Sequence, residues 1–216
     1  MKRVIAYIDG YNLYYGLLKG THYKWLDLVA LVQSFLRKDQ VLVSVKYFTA
    51  QIKTYPFDPM AIDRQKIYLQ ALTTQPLVKI INGFYSKNKT LAPGVKEQCA
   101  SCEVTTNGYV PVIKLEEKRS DVNLAIEALS DAYENAADSF FFVTGDSDQL
   151  GTIEMIRKRL GKRVCVFNPQ AAFSVKLKSV ASYYQNIPRD QPAHCQLPDE
   201  LPIGTHGRMI HRPPTW

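Results

Sequence analysis

The chain has 216 residues, 46% of them hydrophobic and 11% aromatic, with a formal net charge of +7 at pH 7. This length predicts one core with attachments, and the positive charge favours an anionic polymer as partner. No apolar run approaches the ~20 residues of a membrane span, and the start of the chain does not resemble a signal peptide, so we expect a cytoplasmic protein without a membrane partner.

The first half of the chain alternates predicted strands and helices. The apolar run 4–8 predicts a strand that ends at Asp9 and the turn-prone Gly10. Further strands are predicted at 41–50 and 78–85, and helices at 25–36 and 60–73. We expect an excursion from the sheet, in the form of a loose, irregular hairpin, at about 86–112, where Gly, Pro, Asn and Lys replace the periodic pattern.

The second half continues the alternation. We expect a long helix at 118–137, a buried strand at 140–143, a helix at 147–160 and a fifth strand at 163–167, with a last helix, or a helix and a short strand, at 172–184. This order predicts a Rossmann-like α/β fold, with three α/β/α layers and a mostly parallel five-stranded sheet, over residues 1–186. The proline-rich tail 187–216 is expected to lack regular structure but to pack on the domain through apolar side chains: Leu197, Leu201, Ile203 and Trp216.

Two of the four cysteines, Cys99 and Cys102, form a CxxC pair within the excursion. Such a pair is half of a zinc site, but zinc normally takes four ligands and no second CxxC follows. The nearest other ligands are the distant His194 and Cys195. Whether Cys99 and Cys102 bind zinc therefore stays open. We expect the pair to take no direct part in the reaction.

Acidic residues follow the ends of two predicted strands. Asp9 follows the first, and Asp146 and Asp148 follow the strand at 140–143. Ligands of open parallel sheets bind outside the carboxyl ends of the strands, so these acids should converge there. Asp121 opens the long helix, where an acid also suits the helix dipole, and a βαβ connection would return it to the same edge.

Carboxylates that share a cleft need a cation. Two unit charges ~5 Å apart repel by roughly 3 kcal/mol at an effective dielectric of ~20, so a divalent ion is the natural remedy. Hard oxygen ligands favour Mg²⁺ or Mn²⁺. Glu127 and Asp131, farther along the long helix, are expected to be surface acids.

Three sequence blocks together resemble a known family. They are Asp9-Gly10-x-Asn12 after a strand, Lys118-x-x-Asp121-Val122-x-x-Ala125, and Thr144-Gly145-Asp146-Ser147-Asp148. In order and in context they resemble the NYN domain of the LabA-like group, in the PIN-like nuclease superfamily. The resemblance covers roughly residues 1–185. It implies a Rossmann-like sheet, an acidic site that depends on Mg²⁺ or Mn²⁺, and ribonuclease activity.

The resemblance also implies roles for single residues. Asp9, Asp121 and Asp146 would hold the metal, and Asp148 would complete the catalytic acidic set. Asn12 would orient Asp9 or a phosphate, and Lys118 would contact the scissile strand. Ser147 would bind substrate or fix the turn through a local hydrogen bond. Tyr11 would stack a base, or simply pack at the turn.

Positive charge is concentrated after the second acidic turn. Between Gly151 and Tyr184 there are seven Lys or Arg residues, among them Arg157 and Lys158, and one acid, Glu154. This stretch would bind an RNA backbone, although a solvated helix face explains each residue equally well.

Three functions compete at this point. The leading hypothesis is a metal-dependent endoribonuclease acting on single-stranded or structured RNA. The second is a non-catalytic RNA- or protein-binding regulatory module, against which the concentration of acids argues. The third is a small-molecule phosphohydrolase with Asp9 as nucleophile, but such enzymes carry a second Asp two residues on, where this chain has Tyr11. The sequence leaves open whether the protein forms a homo-oligomer.

Overall fold

The strands form one large sheet and two hairpins. A computed structural model describes residues 1–52, 58–93, 108–204 and 208–216. Its strands are β1 (Lys2–Asp9), β2 (Gln40–Thr49), β3 (Val78–Asn82), β4 (Phe84–Pro93), β5 (Tyr109–Lys118), β6 (Ser139–Val143), β7 (Arg163–Asn168), β8 (Tyr183–Asn186), β9 (Glu200–Ile203) and β10 (Arg208–His211). Six of them form a parallel sheet in the order β3-β2-β1-β6-β7-β8.

Helices cover both faces of this sheet. They are α1 (Gly10–Leu13), extended by a π-helical segment (Tyr14–Leu18), α2 (Leu28–Gln33), α3 (Ala61–Leu72), α4 (Ser120–Tyr133), α5 (Leu150–Glu154), extended by a π-helical segment (Met155–Arg159), and α6 (Val175–Val180). Side chains alternate across β1, so Ala6 and Ile8 enter the core under α2 and α3, while Ile5 and Tyr7 enter the core under α4 and α5. The three-layer α/β/α prediction is confirmed. No helix in the described ranges is long and apolar enough to cross a membrane.

The sheet has six strands, so the prediction of five was wrong. The additional strand is β8, which pairs with β7 at one edge of the sheet. Its sequence, Tyr-Tyr-Gln-Asn, is only four residues long and half polar. A short edge strand of this kind carries little of the apolar periodicity on which a strand prediction depends.

The excursion is built around the antiparallel hairpin β4–β5, in which Phe84 lies opposite Lys118. The predicted strand 78–85 therefore divides at Gly83. A side chain could not be accommodated there, since a Cβ on Gly83 would lie 2.5 Å from the Lys118 carbonyl oxygen. The base of the hairpin thus packs against the start of α4. Cys99 and Cys102 lie outside the described residues.

The tail packs on the domain, as predicted, but it also contains regular structure, which was not expected. Strands β9 and β10 pair as an antiparallel hairpin. The Trp216 ring packs against Tyr68 with centroids 5.6 Å apart, and the Trp25 indole donates a hydrogen bond to the Pro198 carbonyl oxygen at 2.8 Å. The tail therefore covers the edge of the core under α2 and α3.

A buried ion pair links β2 to α4. The ammonium group of Lys46 lies 2.6 Å from carboxylate oxygens of both Glu127 and Asp131, and the Tyr7 hydroxyl donates to Asp131 at 2.6 Å. The side chain of Asp131 is only 13% exposed. The expectation that Asp131 is a surface acid was therefore wrong, because this part of α4 faces the sheet.

Replacing Lys46 by Met should destabilise the fold by about 3 kcal/mol, because it leaves a buried carboxylate without its partner. Urea unfolding of the parent and the variant would measure the loss. The matched control is Lys2→Met, which removes an exposed pair with Asp39 at 3.6 Å and should cost no more than about 0.5 kcal/mol. Equal losses in both variants would contradict the importance given to the buried pair.

Candidate active site

Three aspartates meet at the carboxyl edge of the sheet. Asp9 ends β1, Asp146 follows the neighbouring strand β6, and Asp121 lies in the first turn of α4. One carboxylate oxygen from each lies within 4.8 Å of the other two. Because α4 runs back across the sheet from this edge before β6, its first turn lies beside the ends of β1 and β6.

Asp9 is buried and held in place by hydrogen bonds. Asn12 donates its backbone N–H to Oδ1 at 2.9 Å and its side-chain amide to Oδ2 at 2.7 Å. The Thr144 hydroxyl also donates to Oδ2, at 3.0 Å. Burial raises the pKa of Asp9, and these hydrogen bonds oppose the rise by stabilising the charged form. The carboxylate is thus oriented without a cationic partner among these contacts.

Asn12 also fixes the loop that carries the second acid. Its side-chain oxygen accepts hydrogen bonds from the Gly145 N–H at 3.3 Å and the Gln170 amide at 3.1 Å. The loop approaches closely at Gly145, where a Cβ would lie 2.4 Å from the Asn168 side-chain oxygen. Position 145 therefore requires glycine, which has no Cβ.

The Asp146 carboxylate is positioned by its own turn. The Asp146 N–H donates to the Thr144 hydroxyl at 3.1 Å, and Asp146 Oδ1 accepts from the Asp148 N–H at 2.9 Å. Asp146 thereby caps the 3₁₀ turn Ser147–Gln149. Ser147 and Asp148 are exposed beside the cleft, and the Asp148 carboxylate does not belong to the group of three.

The electrostatics of the group disfavour three negative charges. The Asp121 residue is exposed overall, yet its carboxyl lies within the cleft. Desolvation there, followed by the charges of Asp9, Asp146 and Asp148, raises the pKa of Asp121 to about 6. A bound cation would relieve this repulsion.

Glu117 is a further acid of the cleft that sequence reasoning missed. Its carboxylate accepts hydrogen bonds from the Ser120 hydroxyl and, at 3.5 Å, from the Tyr85 hydroxyl. Desolvation, together with the charge of Asp121, raises the pKa of Glu117. Glu116 lines the cleft as well, and the only sequence signal was the position of both glutamates next to Lys118, because the pairing of β4 with β5 brings this end of the hairpin to the acids.

The acids line a cleft of about 430 Å³ between the sheet edge and the base of the hairpin. Tyr11, Asn12 and Lys118 line it too, so the structure brings these predicted substrate contacts to the acids. The Lys118 ammonium group pairs with Glu116 at 2.9 Å.

The structure does not bring Arg157 and Lys158 to the acids. Both lie in the segment Met155–Arg159, about 15 Å along the helical axis from Ser147 at 1.5 Å per residue. Arg157 donates to the Val180 carbonyl oxygen at 3.1 Å, and Lys158 pairs with Glu154 at 2.5 Å. These cations therefore lie towards the amino ends of the strands, away from the acids.

A second cavity, of about 590 Å³, adjoins the acidic cleft. We call it the tyrosine cavity, because its aromatic lining is Tyr11, Tyr14, Tyr15, Tyr47, Tyr68, Tyr85 and Trp216. Tyr11, Tyr15, Tyr85 and Glu117 line both spaces. The acidic cleft and the tyrosine cavity are therefore two parts of one depression.

The donor set of the cleft fits a hard divalent cation. All three converging ligands are carboxylate oxygens, the type that Mg²⁺ and Mn²⁺ prefer, and two of them, those of Asp9 and Asp146, accept hydrogen bonds from backbone N–H groups of their own turns. The arrangement can hold such an ion against a phosphate group. Zinc ligation by Cys99 and Cys102 falls outside the described residues.

Comparisons with known proteins identify the family and the fold of the chain. The chain is 31% identical over 223 positions to 6-hydroxy-3-succinoylpyridine 3-monooxygenase HspA of Pseudomonas putida, covering 93% of this chain and 72% of that protein. It also resembles the crystal structure of a protein of unknown function from Vibrio parahaemolyticus, with a TM-score of 0.54, 18% identity, and coverage of 88% of this chain and 94% of that one. The model of the NYN domain matches residues 3–188. The chain therefore belongs to the NYN domain family of the PIN-like nuclease superfamily.

Proposed function

We propose that this protein is a Mg²⁺- or Mn²⁺-dependent endoribonuclease of the LabA-like group, hydrolysing RNA phosphodiester bonds at the acidic cleft. The observation that carries the proposal is the convergence of Asp9, Asp121 and Asp146 within 4.8 Å at the carboxyl edge of the sheet, in a chain of the NYN family. A surface that only bound RNA would have no reason to collect carboxylates against an anionic ligand.

The residues of the cleft divide the work between them. Asp9, Asp121 and Asp146 would hold the cation, and Asn12 and Thr144 keep the Asp9 carboxylate aimed into the cleft. When bound, a divalent cation would activate water and stabilise the charge that develops on the phosphate. Lys118 would hold the phosphate, while Asp148 and Ser147 would contact the RNA at the rim of the cleft.

Cleavage of labelled single-stranded RNA, beside DNA of the same sequence, tests the proposal. We expect cleavage of the RNA in millimolar Mn²⁺, none in EDTA, and cleavage at least ~10²-fold slower by the Asp146→Asn variant. RNA binding without cleavage would instead support the non-catalytic binding module.

The contribution of Arg157 and Lys158 to RNA binding should depend on the length of the RNA, whereas that of Lys118 should not. Because Arg157 and Lys158 lie about 15 Å along the helix from Ser147, they would contact only RNA that extends well beyond the cleft. The Arg157→Ala, Lys158→Ala double variant should therefore bind a trinucleotide like the parent, but show a slope of log affinity against log salt reduced by about 1–2 on a long RNA. Lys118→Ala should weaken binding of both RNAs. An unchanged slope on the long RNA would remove Arg157 and Lys158 from the binding surface.

A second candidate function is chemistry on a small aromatic molecule. The Pseudomonas putida relative is named for a reaction on a pyridine compound, and the tyrosine cavity has a volume suited to such a ligand. A monooxygenase reaction reduces one atom of O₂ to water, so incubation with 6-hydroxy-3-succinoylpyridine and an electron donor such as NADH, with oxygen uptake as the readout, tests this candidate independently of RNA cleavage.

A further inference from the structure

We propose that the tyrosine cavity is a base-binding subsite, which takes the nucleobase of the nucleotide whose phosphate lies at the acids. This inference rests on the proposed ribonuclease function and deepens it by naming a part of the substrate that the protein holds. It also implies that the enzyme prefers unpaired RNA, because a base in the cavity cannot be paired.

The shape and chemistry of the cavity suit a planar aromatic ring. Its volume of about 590 Å³ lies in the range of small-ligand sites and accommodates one base with its ribose. The Tyr47 and Tyr68 side chains are buried at 8% and 6% exposure, whereas Tyr11, Tyr14 and Tyr15 remain 49%, 37% and 43% exposed. Exposed aromatic rings grouped around a cavity typically mark a binding site.

The rim rings are arranged as a surface on which a base can stack. The Tyr11 and Tyr15 centroids are 4.4 Å apart with the planes tilted by 36°, and Tyr14 contacts Tyr15 edge to face at 5.1 Å. These contacts restrain the rings before a ligand arrives. Stacking on aromatic side chains is how proteins hold unpaired bases without reading their sequence.

The connection to the acidic cleft identifies the ligand as part of a nucleotide. Tyr11, Tyr15 and Glu117 line both spaces, so a ring in the cavity and an anionic group at the acids are neighbouring parts of one molecule. Lys24 also lines the cavity and would face a second phosphate of the strand.

The tail completes the cavity. Trp216 and Thr215 line it, although the NYN domain match ends at residue 188. Trp216 packs on Tyr68 at 5.6 Å and on Trp25 at 6.5 Å. The subsite is therefore built partly by residues outside the matched family domain, and Trp216 supplies a fluorescent reporter within it.

The first test uses binding without cleavage. Saturable quenching of tryptophan fluorescence by uridine or adenosine 5′-monophosphate is expected in the presence of Mg²⁺, whereas ribose 5-phosphate, which lacks a base, should give none. Tyr14→Ala should weaken nucleotide binding by about tenfold, the lower part of the range for a base stacked on an aromatic ring. Tyr133→Ala, which removes an exposed tyrosine of α4 outside the cavity, should bind like the parent. Equal binding of ribose 5-phosphate would overturn the proposal, as would binding of 6-hydroxy-3-succinoylpyridine but of no nucleotide.

The second test separates this inference from the proposed function. An RNA with a single cleavage site is made with one abasic residue at each position in turn. We expect cleavage to fall by about tenfold or more at one position next to the scissile bond, and Tyr14→Ala to be insensitive to the abasic residue there. If the intact RNA is cleaved and no abasic position changes the rate, the base-binding subsite is wrong while the ribonuclease stands. If nothing cleaves the RNA, the proposed function itself fails.

Discussion

Replacing Asp146 by Asn should lower the rate of RNA cleavage by at least ~10²-fold, and by ~10³-fold if the cation is lost altogether. Asp146 shares the three-carboxylate group with Asp9 and Asp121, and removing one electrostatic contact to developing charge typically costs ~10²–10³ in rate. The substitution leaves the turn intact, because the Asn side-chain oxygen can still accept the hydrogen bond that Asp148 donates at 2.9 Å.

Two further variants make this result interpretable. Asp148→Asn should reduce the rate less than Asp146→Asn, because the Asp148 carboxylate lies outside the group of three. Asp63→Asn removes an exposed acid on α3 and should leave the rate unchanged. Cleavage rates measured at saturating RNA and Mn²⁺ check the order. If Asp146→Asn cleaves RNA as fast as Asp63→Asn does, the acidic cleft is not the active site.

The central sheet was predictable because its strands carry strong signals. The buried run of β6 is apolar throughout and stops at a glycine and two acids, so it identifies both a strand and its carboxyl end. Once β1 and β6 are parallel, the proximity of Asp9 and Asp146 follows from topology alone. The signal for β8 is weaker: a helix and a short strand were one of two alternatives at 172–184, and the half-polar sequence of β8 is held at the edge of the sheet by tertiary pairing.

The contacts that were missed depend on how whole elements pack. Asp131 lies on α4 at a position that polarity alone assigns to the surface, yet α4 crosses β2 so that Asp131 meets the buried Lys46. Glu117 reaches the cleft because of the register of the β4–β5 hairpin. Conversely, the cations near Arg157 follow the acidic turn in sequence, but the rise of a helix carries them away from it. A cluster of charges in the sequence does not show which surface it occupies until the helix that carries it is placed in the fold.

Replacing Asp121 by Asn should make the metal-free protein at least as stable as the parent at neutral pH. Desolvation and the charges of Asp9, Asp146 and Asp148 raise the pKa of Asp121 to about 6, so the native state disfavours its ionised form. An acid whose pKa is higher in the native than in the unfolded state lowers stability as pH rises from its unfolded pKa, ~4, to its native value. Thermal unfolding in EDTA should show equal Tm values for parent and variant below pH ~4. Above pH ~6 the variant should have the higher Tm.

Divalent metal should oppose this difference in stability. An ion that binds only the native state at 100 times its Kd adds about 2.7 kcal/mol, which raises Tm by about 5–10 °C for a domain of this size. Mn²⁺ should stabilise the parent by this amount at pH 7, and stabilise Asp121→Asn far less, because a neutral amide replaces one of three carboxylate ligands. In the parent the shift should shrink as pH falls below 6, where protons compete for Asp121. Asp63→Asn, which keeps all three acids, should respond like the parent. Equal Mn²⁺ shifts in the parent and Asp121→Asn would show that Asp121 is not a ligand and that the three acids do not form one metal site.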